Sequence, residues 1–219
     1  MPDFAAARKN MVDCQIQPSG VIHAGLLNAF GTIPREQFIP ANMRGVAYTD
    51  ELIHLPAGRL LLEPAVHARM LQSADPAPGE KALDIGGGMG YSAMILGRLV
   101  KNVVAVETPD YMKQAQNLWR EQGATNIQGH VGELKQGAPA LGPYDVIFIN
   151  GAAEVIPQAI AEQLTPSGRL VIILQKPGAP MGQAMLVRRS GDNGFSAYPL
   201  FETGCSFMAG FEPETSFNF

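Results

Sequence analysis

Cysteine is nearly absent from this chain. There are two, Cys14 and Cys205, far apart in sequence. That excludes a disulfide framework, and no Cys/His cluster has the spacing of a metal site. Both thiols are expected to be buried and reduced, as in a cytoplasmic protein. Charge is sparse too, at 16%, with a net of −4, so no basic field draws nucleic acid or anionic lipid. No apolar run reaches the roughly 18 residues a membrane span needs. Met1 to Asn10 lacks the apolar centre of a signal peptide, and there are no repeats or low-complexity tracts. What remains is a globular protein. Its 219 residues, 46% of them hydrophobic, suit one domain with a sizeable core.

Against that background one stretch stands out: Lys81-Ala-Leu-Asp-Ile-Gly-Gly-Gly-Met-Gly-Tyr91. Ala82, Leu83 and Ile85 read as a buried strand. Gly86, Gly88 and Gly90 follow at alternate positions, and Ala93, Met94, Ile95, Leu96 and Leu99 supply the apolar positions of a helix. Strand, glycine turn and helix make the first half of a nucleotide-binding β-α-β unit. The glycines allow backbone angles that side chains forbid, and let a ligand approach the main chain. The dinucleotide fingerprint G-x-G-x-x-G/A fits only from Gly88, through Gly90 and Ala93, which forces Asp84, Gly86 and Gly87 into the strand. An NAD-dependent oxidoreductase survives only in that register. D-x-G-x-G-x-G, with Asp84, Gly86, Gly88 and Gly90, fits without that cost. It resembles the first motif of class I S-adenosylmethionine-dependent methyltransferases.

A second feature agrees. Val103-Val104-Ala105-Val106 is an apolar run ending in Glu107, 23 residues beyond Asp84. It reads as a buried parallel strand whose terminal carboxylate accepts hydrogen bonds from ribose hydroxyls.

Along the chain, 3–17 and 21–32 read as helices, the latter with a stripe of Val21, Ala24, Leu26, Leu27 and Phe30. Residues 41–63 read as loop, with an apolar patch at Leu60, Leu61 and Leu62. Pro64 opens a helix, and Pro76, Pro78 and Gly79 break the chain before the glycine-turn strand. Residues 1–78 thus form a helical extension that walls or covers the site, and 79–219 the cofactor-binding core. A helix at about 110–122 carries Trp119, read as a packing residue. Strands are expected at 126–131, 143–150 and 169–174, and a helix at 156–164. Glu133 and Leu134 fall where an adenine ring would lie, and Asn150 at the carboxyl end of a central strand, facing the reacting group. The tail offers strand candidates at 183–189 and 204–211, with the turn signal Gly191-Asp192-Asn193-Gly194 between them. The fold class is α/β, a doubly wound Rossmann-like sheet, mostly parallel with an antiparallel C-terminal end.

Taken together, Ile33-Pro34-Arg35-Glu36-Gln37-Phe38, Ala47-Tyr48, the glycine turn with Tyr91, Glu107, Pro143-Tyr144-Asp145, Ile156-Pro157, Gln163-Leu164 and Gly168-Arg169-Leu170-Val171 resemble the protein-L-isoaspartate O-methyltransferase family. The resemblance runs from about Arg8 to Leu174. It implies S-adenosyl-L-methionine as cofactor, held by Asp84, Gly86, Gly88, Gly90, Tyr91, Glu107, Glu133, Leu134 and Asn150. The implied partner is a protein or peptide bearing an isoaspartyl residue, whose carboxylate would be methylated; no nucleic acid, membrane or metal enters. Two departures matter. The family's Thr-Ile-Ser-Gln-Pro stretch is here Leu60-Leu61-Leu62-Glu63-Pro64, which puts Leu62 and Glu63 at the active-site positions without the serine hydroxyl. The family's Gly-Asp-Gly is here Gly132-Glu133-Leu134. The alternative these departures leave is a cofactor-binding protein of the same fold that regulates, adapts, or methylates another substrate.

Overall fold

The structure, a computed structural model, describes residues 3–190 and 194–213. Asp3 caps the first helix, α1 (Phe4–Met11), by accepting from the Ala6 amide at 3.0 Å. The helix runs on as wider and tighter turns to Ser19. In α2 (Ala24–Thr32) His23 is the cap, its Nδ1 accepting from the Leu26 amide at 3.1 Å. Leu26, Ala29 and Phe30 face the core, but Ala24 of the expected stripe is exposed. The stretch read as loop contains a hairpin, β1 (Ile53–Leu55) and β2 (Arg59–Leu61), whose leucines are buried. Pro64 then starts α3 (Pro64–Ala74) at a position where its missing N–H is not needed.

The core begins with β3 (Lys81–Ile85), α4 (Tyr91–Gly97), β4 (Asn102–Glu107), α5 (Pro109–Glu121) and β5 (Ile127–Val131). It continues with β6 (Tyr144–Ala153), the short α6 (Gln158–Ala161), β7 (Leu164–Leu174), β8 (Gly182–Ser190) and β9 (Gly194–Thr203). The seven strands run in the order β5-β4-β3-β6-β7-β8-β9. The first five are parallel, while β8 and β9 pair antiparallel. The order reverses at β3, flanked by β4 on one side and β6 on the other, so the carboxyl ends of these three strands frame a crevice. The α/β fold, doubly wound with an antiparallel C-terminal end, is as expected.

Four expectations are corrected. The stretch 204–211 is not a strand: among the described residues the last strand is 194–203, and after it there is only an isolated bridge from Phe207 to Ala152. The helix expected at 156–164 shrinks to four residues, because Leu164 already pairs with Tyr144 and β7 starts there. Cys14 is exposed, on the solvent side of the turns that extend α1; only Cys205 is buried. The hairpin in 41–63 was missed because its strands are three residues each, too short for alternation to show. Of the turn signal at 191–194, residues 191–193 lie outside the described residues.

One apolar cluster joins the extension to one face of the sheet, from Met11, Phe30 and Leu62 to Ile95 and Phe148. This explains why all of α4's apolar positions are buried: the helix is sandwiched between sheet and extension. A second cluster, with Ile85, Leu134, Ile149, Met208 and Phe211, packs the other face. No helix among the described residues is long and apolar enough to cross a membrane.

Candidate active site

The glycine turn sits at the carboxyl end of β3. Gly86, Gly88 and Gly90 all have positive φ (70°, 58° and 92°), the left-handed region that only glycine enters at little cost. The turn is braced from below by Asp84. Its Oδ1 accepts from Ser92 Oγ at 2.6 Å and from Asn150 Nδ2 at 2.8 Å. Asn150 also donates to the Ile85 carbonyl at 3.0 Å, tying β6 to β3. Burial pushes the Asp84 carboxyl up to about 6, against these hydrogen bonds, which act in the opposite sense.

Glu107 ends β4 beside the turn, 3% exposed. Its Oε1 accepts from the Gly88 amide at 2.8 Å, and its Oε2 from the Thr108 amide at 2.8 Å. Arg59, on β2, clasps both oxygens, Nε to Oε1 at 2.8 Å and Nη2 to Oε2 at 3.1 Å. Sequence reasoning missed Arg59. The signal was there: a lone charge inside Leu55-Pro-Ala-Gly-Arg-Leu-Leu-Leu62 must find a buried partner.

Beyond the ends of β4 and β5 lies a cleft of about 680 Å³, lined by Ala57, Arg59, Thr108, Pro109, Val131, Gly132, Glu133, Leu134, Lys135, Ala209 and Gly210. So Glu133 and Leu134 do line a hollow next to Glu107. The crevice thus gathers Gly86, Gly88, Glu107, Leu134 and Asn150, with Asp84 beneath them. Gly90 and Tyr91 turn away from it. Gly90 lies against the indole of Trp119, whose Nε1 donates to its carbonyl at 2.9 Å, which makes Trp119 the packing residue expected. Tyr91 is fully buried among Phe30, Phe38 and His67, with the Arg35 guanidinium 5.2 Å from its ring centre.

The stretch Pro34 to Phe38 earns its place as a brace. Arg35 Nε donates to the Ala47 carbonyl and Nη2 to the Leu62 carbonyl, each at 2.7 Å. Glu36 pairs with Arg8 at 3.2 Å and accepts from the Tyr48 hydroxyl. These bonds fix the strap from Ala47 to Glu63 over the sheet ends. Leu60 reaches Gly151, where an added Cβ would lie 3.1 Å from its Cδ1. Leu62 is 2% exposed and packs in the core between extension and sheet. Glu63 is half-buried, and burial with Asp50 and Glu51 nearby raises its carboxyl above the ordinary range. Among the described residues no group of His, Cys, Asp and Glu could hold a metal.

The residues present fit an adenosyl ligand in kind: a glycine cradle, a carboxylate at the end of β4, and an apolar cleft wide enough for a purine. Two side chains stand in that ground. Arg59 holds Glu107, and Met208 covers Gly86 so closely that a Cβ there would overlap its sulfur.

Comparison with known proteins bears on the family and the fold. Residues 6–203 match the model of the family described as Protein-L-isoaspartate(D-aspartate) O-methyltransferase. The chain is 36% identical over 192 residues to the protein-L-isoaspartate O-methyltransferase of Roseiflexus sp. (strain RS-1), covering 87% of this chain and 86% of that one. A solved protein-L-isoaspartate O-methyltransferase superposes with a TM-score of 0.78 at 25% identity, over 90% of this chain and 64% of the other. A Plasmodium falciparum beta-aspartate methyltransferase, solved in complex with S-adenosyl-L-homocysteine, shares the fold, with a TM-score of 0.75 at 18% identity, over 94% of this chain and 97% of that one. On the family match and the curated relative, this chain belongs to the protein-L-isoaspartate O-methyltransferase family.

Proposed function

We propose that the chain is an S-adenosylmethionine-dependent protein carboxyl methyltransferase acting on isoaspartyl residues, with its cofactor held at the crevice of β3, β4 and β6. The observation that carries this reading is the glycine turn with the buried Glu107 carboxylate beside it, inside a chain whose family carries out this chemistry. Bound S-adenosylmethionine supplies a sulfonium methyl group, which a carboxylate oxygen takes up with loss of the thioether.

Such a nucleophile is already ionised at neutral pH, since model carboxyl pKa values are about 4. The chain therefore needs no general base, and what its residues contribute is position and dryness. Gly86 and Gly88 put no side chain of their own between the turn and a ligand. Glu107 would accept from the ribose hydroxyls in exchange for Arg59, Glu133 and Leu134 would flank the adenine, and Asn150 with Asp84 holds the turn from below. Leu60, Leu61 and Leu62 keep water from the reacting end, and Arg35 fixes that strap by its bond to the Leu62 carbonyl. Leu62 offers no hydroxyl where the family places a serine. A single neutral hydrogen bond contributes about 0.5–1.5 kcal/mol, so its loss slows transfer by about tenfold at most. Glu63, half-buried beside Leu62, would oppose an incoming carboxylate. The division into a 1–78 cover and a 79–219 core belongs to the same reading, since Arg59 of the cover meets Glu107 of the core.

The test is transfer of labelled methyl from S-adenosylmethionine to an isoaspartyl peptide, with the aspartyl isomer as control. Label on the isoaspartyl peptide alone supports the proposal. Cofactor binding without transfer favours a regulator or adaptor of the same fold.

A further inference from the structure

We propose that the segment following β9 is an internal competitor for the cofactor, with the Met208 side chain standing in for the ligand's methionine chain. This rests on the reading of the crevice as an S-adenosylmethionine site. The segment crosses the carboxyl ends of the strands, held by main-chain bonds and by the buried side chains of Met208 and Phe211. Ala152 donates to the Ser206 carbonyl and accepts from the Met208 amide, both at 3.1 Å. Ala209 donates to the Gly58 carbonyl of the hairpin at 3.2 Å. Met208 is fully buried.

Three glycines of the crevice face this segment. A Cβ on Gly86 would overlap the Met208 sulfur, one on Gly151 would come within 2.8 Å of Met208 Cβ, and one on Gly58 within 2.6 Å of Ala209 Cβ. The room that glycines leave for a ligand is here taken by a thioether side chain. Its Cβ–Cγ–Sδ–Cε chain is also the chemical skeleton of the ligand's methionine half, so it suits the same walls. The other half of the crevice, the cleft by Glu133 and Leu134, stays open. Arg59 meanwhile saturates Glu107, the ribose acceptor. The family match ends at residue 203, short of Met208, so the plug lies outside the part this chain shares with that family model. Gly204 and Gly210 flank it, each with no atom closer than 3.9 Å to an added Cβ.

Binding the cofactor must therefore lift Met208 out. Hydrogen exchange on the full chain, with and without S-adenosylmethionine, reads this directly. The amides of Met208 and Ala209 should exchange faster with ligand, opposite to a lid that closes. In parallel, calorimetry should show Met208→Ala binding S-adenosylmethionine at least tenfold tighter than the wild type, while adenosine, which lacks the methionine chain, changes by less than twofold. The exchange experiment needs no variant, so it stands if Met208→Ala fails to fold. Equal affinities for S-adenosylmethionine, or slower or unchanged exchange at 208 and 209 on binding, overturn the plug and leave the methyltransferase reading intact. Failure of both proteins to bind S-adenosylmethionine overturns plug and cofactor site together.

Discussion

Replacing Glu107 by glutamine should unfold this protein more readily, even with no ligand in solution. The side chains of Arg59 and Glu107 are 4% and 3% exposed. Glutamine keeps the shape and one acceptor oxygen, so Gly88 or Thr108 retains a partner. The guanidinium does not: it stays buried with no counter-charge. Breaking a buried pair from one side costs about 3–5 kcal/mol. For a chain of this size each kcal/mol moves the melting temperature by about 2–4 °C, so a fall of about 6–20 °C is expected. Removing both charges, with Arg59→Met and Glu107→Gln together, should recover most of that loss, because a buried ion pair is worth little more than apolar groups of its shape. Urea titrations of the wild type, both single variants and the double variant give the coupling energy as a cycle, and about 2–4 kcal/mol is expected. A cost below about 1 kcal/mol for Glu107→Gln would show that the carboxylate is open to water rather than held in a buried pair. The clasp by Arg59 would then be refuted.

Two further outcomes follow from the same geometry. His67 is fully buried, stacked on Phe148 at 5.1 Å, with neither ring nitrogen bonded, and burial with Arg35 nearby pushes its pKa down to about 3. The unfolded chain takes up that proton near pH 6.5 and the folded one does not, so stability falls as pH drops below 6.5, by about 1.4 kcal/mol per unit. Asp84 works the other way, holding its proton in the fold up to about 6, which adds stability as pH falls from about 6 to 4. His67→Leu should expose that opposing term: relative to wild type its stability should gain about 3 kcal/mol between pH 7 and 4.5, and parallel denaturation profiles would contradict the assignment. At the substrate end, Glu63→Gln leaves the buried Leu62 in place and removes a like charge, which at 4 Å and an effective dielectric of 20 repels by about 4 kcal/mol. It should exceed the wild type in turnover of isoaspartyl peptide; strong wild-type turnover that this change lowers would show that Glu63 serves the substrate as it stands.

The parts of the fold legible in the sequence are those set by local pattern. Ala82, Leu83 and Ile85, the apolar run 103–106, the glycine turn and the terminal Glu107 lie where expected, because buried parallel strands need mostly apolar residues; Asp84, expected to be costly in the strand, lies within β3 all the same, its carboxylate bonded by Ser92 and Asn150. What stayed hidden depends on pairing between distant segments. Arg59 meets a partner 48 positions away. Tyr91 belongs to the core under the extension, since the helix it opens turns its ring away from the crevice. The stretch 204–211 is apolar enough for a strand, but the edge of β8 is already taken by 194–203, and it crosses the strand ends instead. Asp84 carries the acid of the family pattern, but its work here is beneath the turn, held by Ser92 and Asn150.

The central claim is methyl transfer to the isoaspartyl carboxylate. It is tested most directly by incubating the full chain with labelled S-adenosylmethionine and an isoaspartyl peptide, then mapping the labelled ester by mass spectrometry. A methyl ester is expected on the isoaspartyl residue, absent from the aspartyl control and increased by Met208→Ala at subsaturating cofactor. A peptide left unlabelled by wild type and variant alike, while both bind the cofactor, would contradict it.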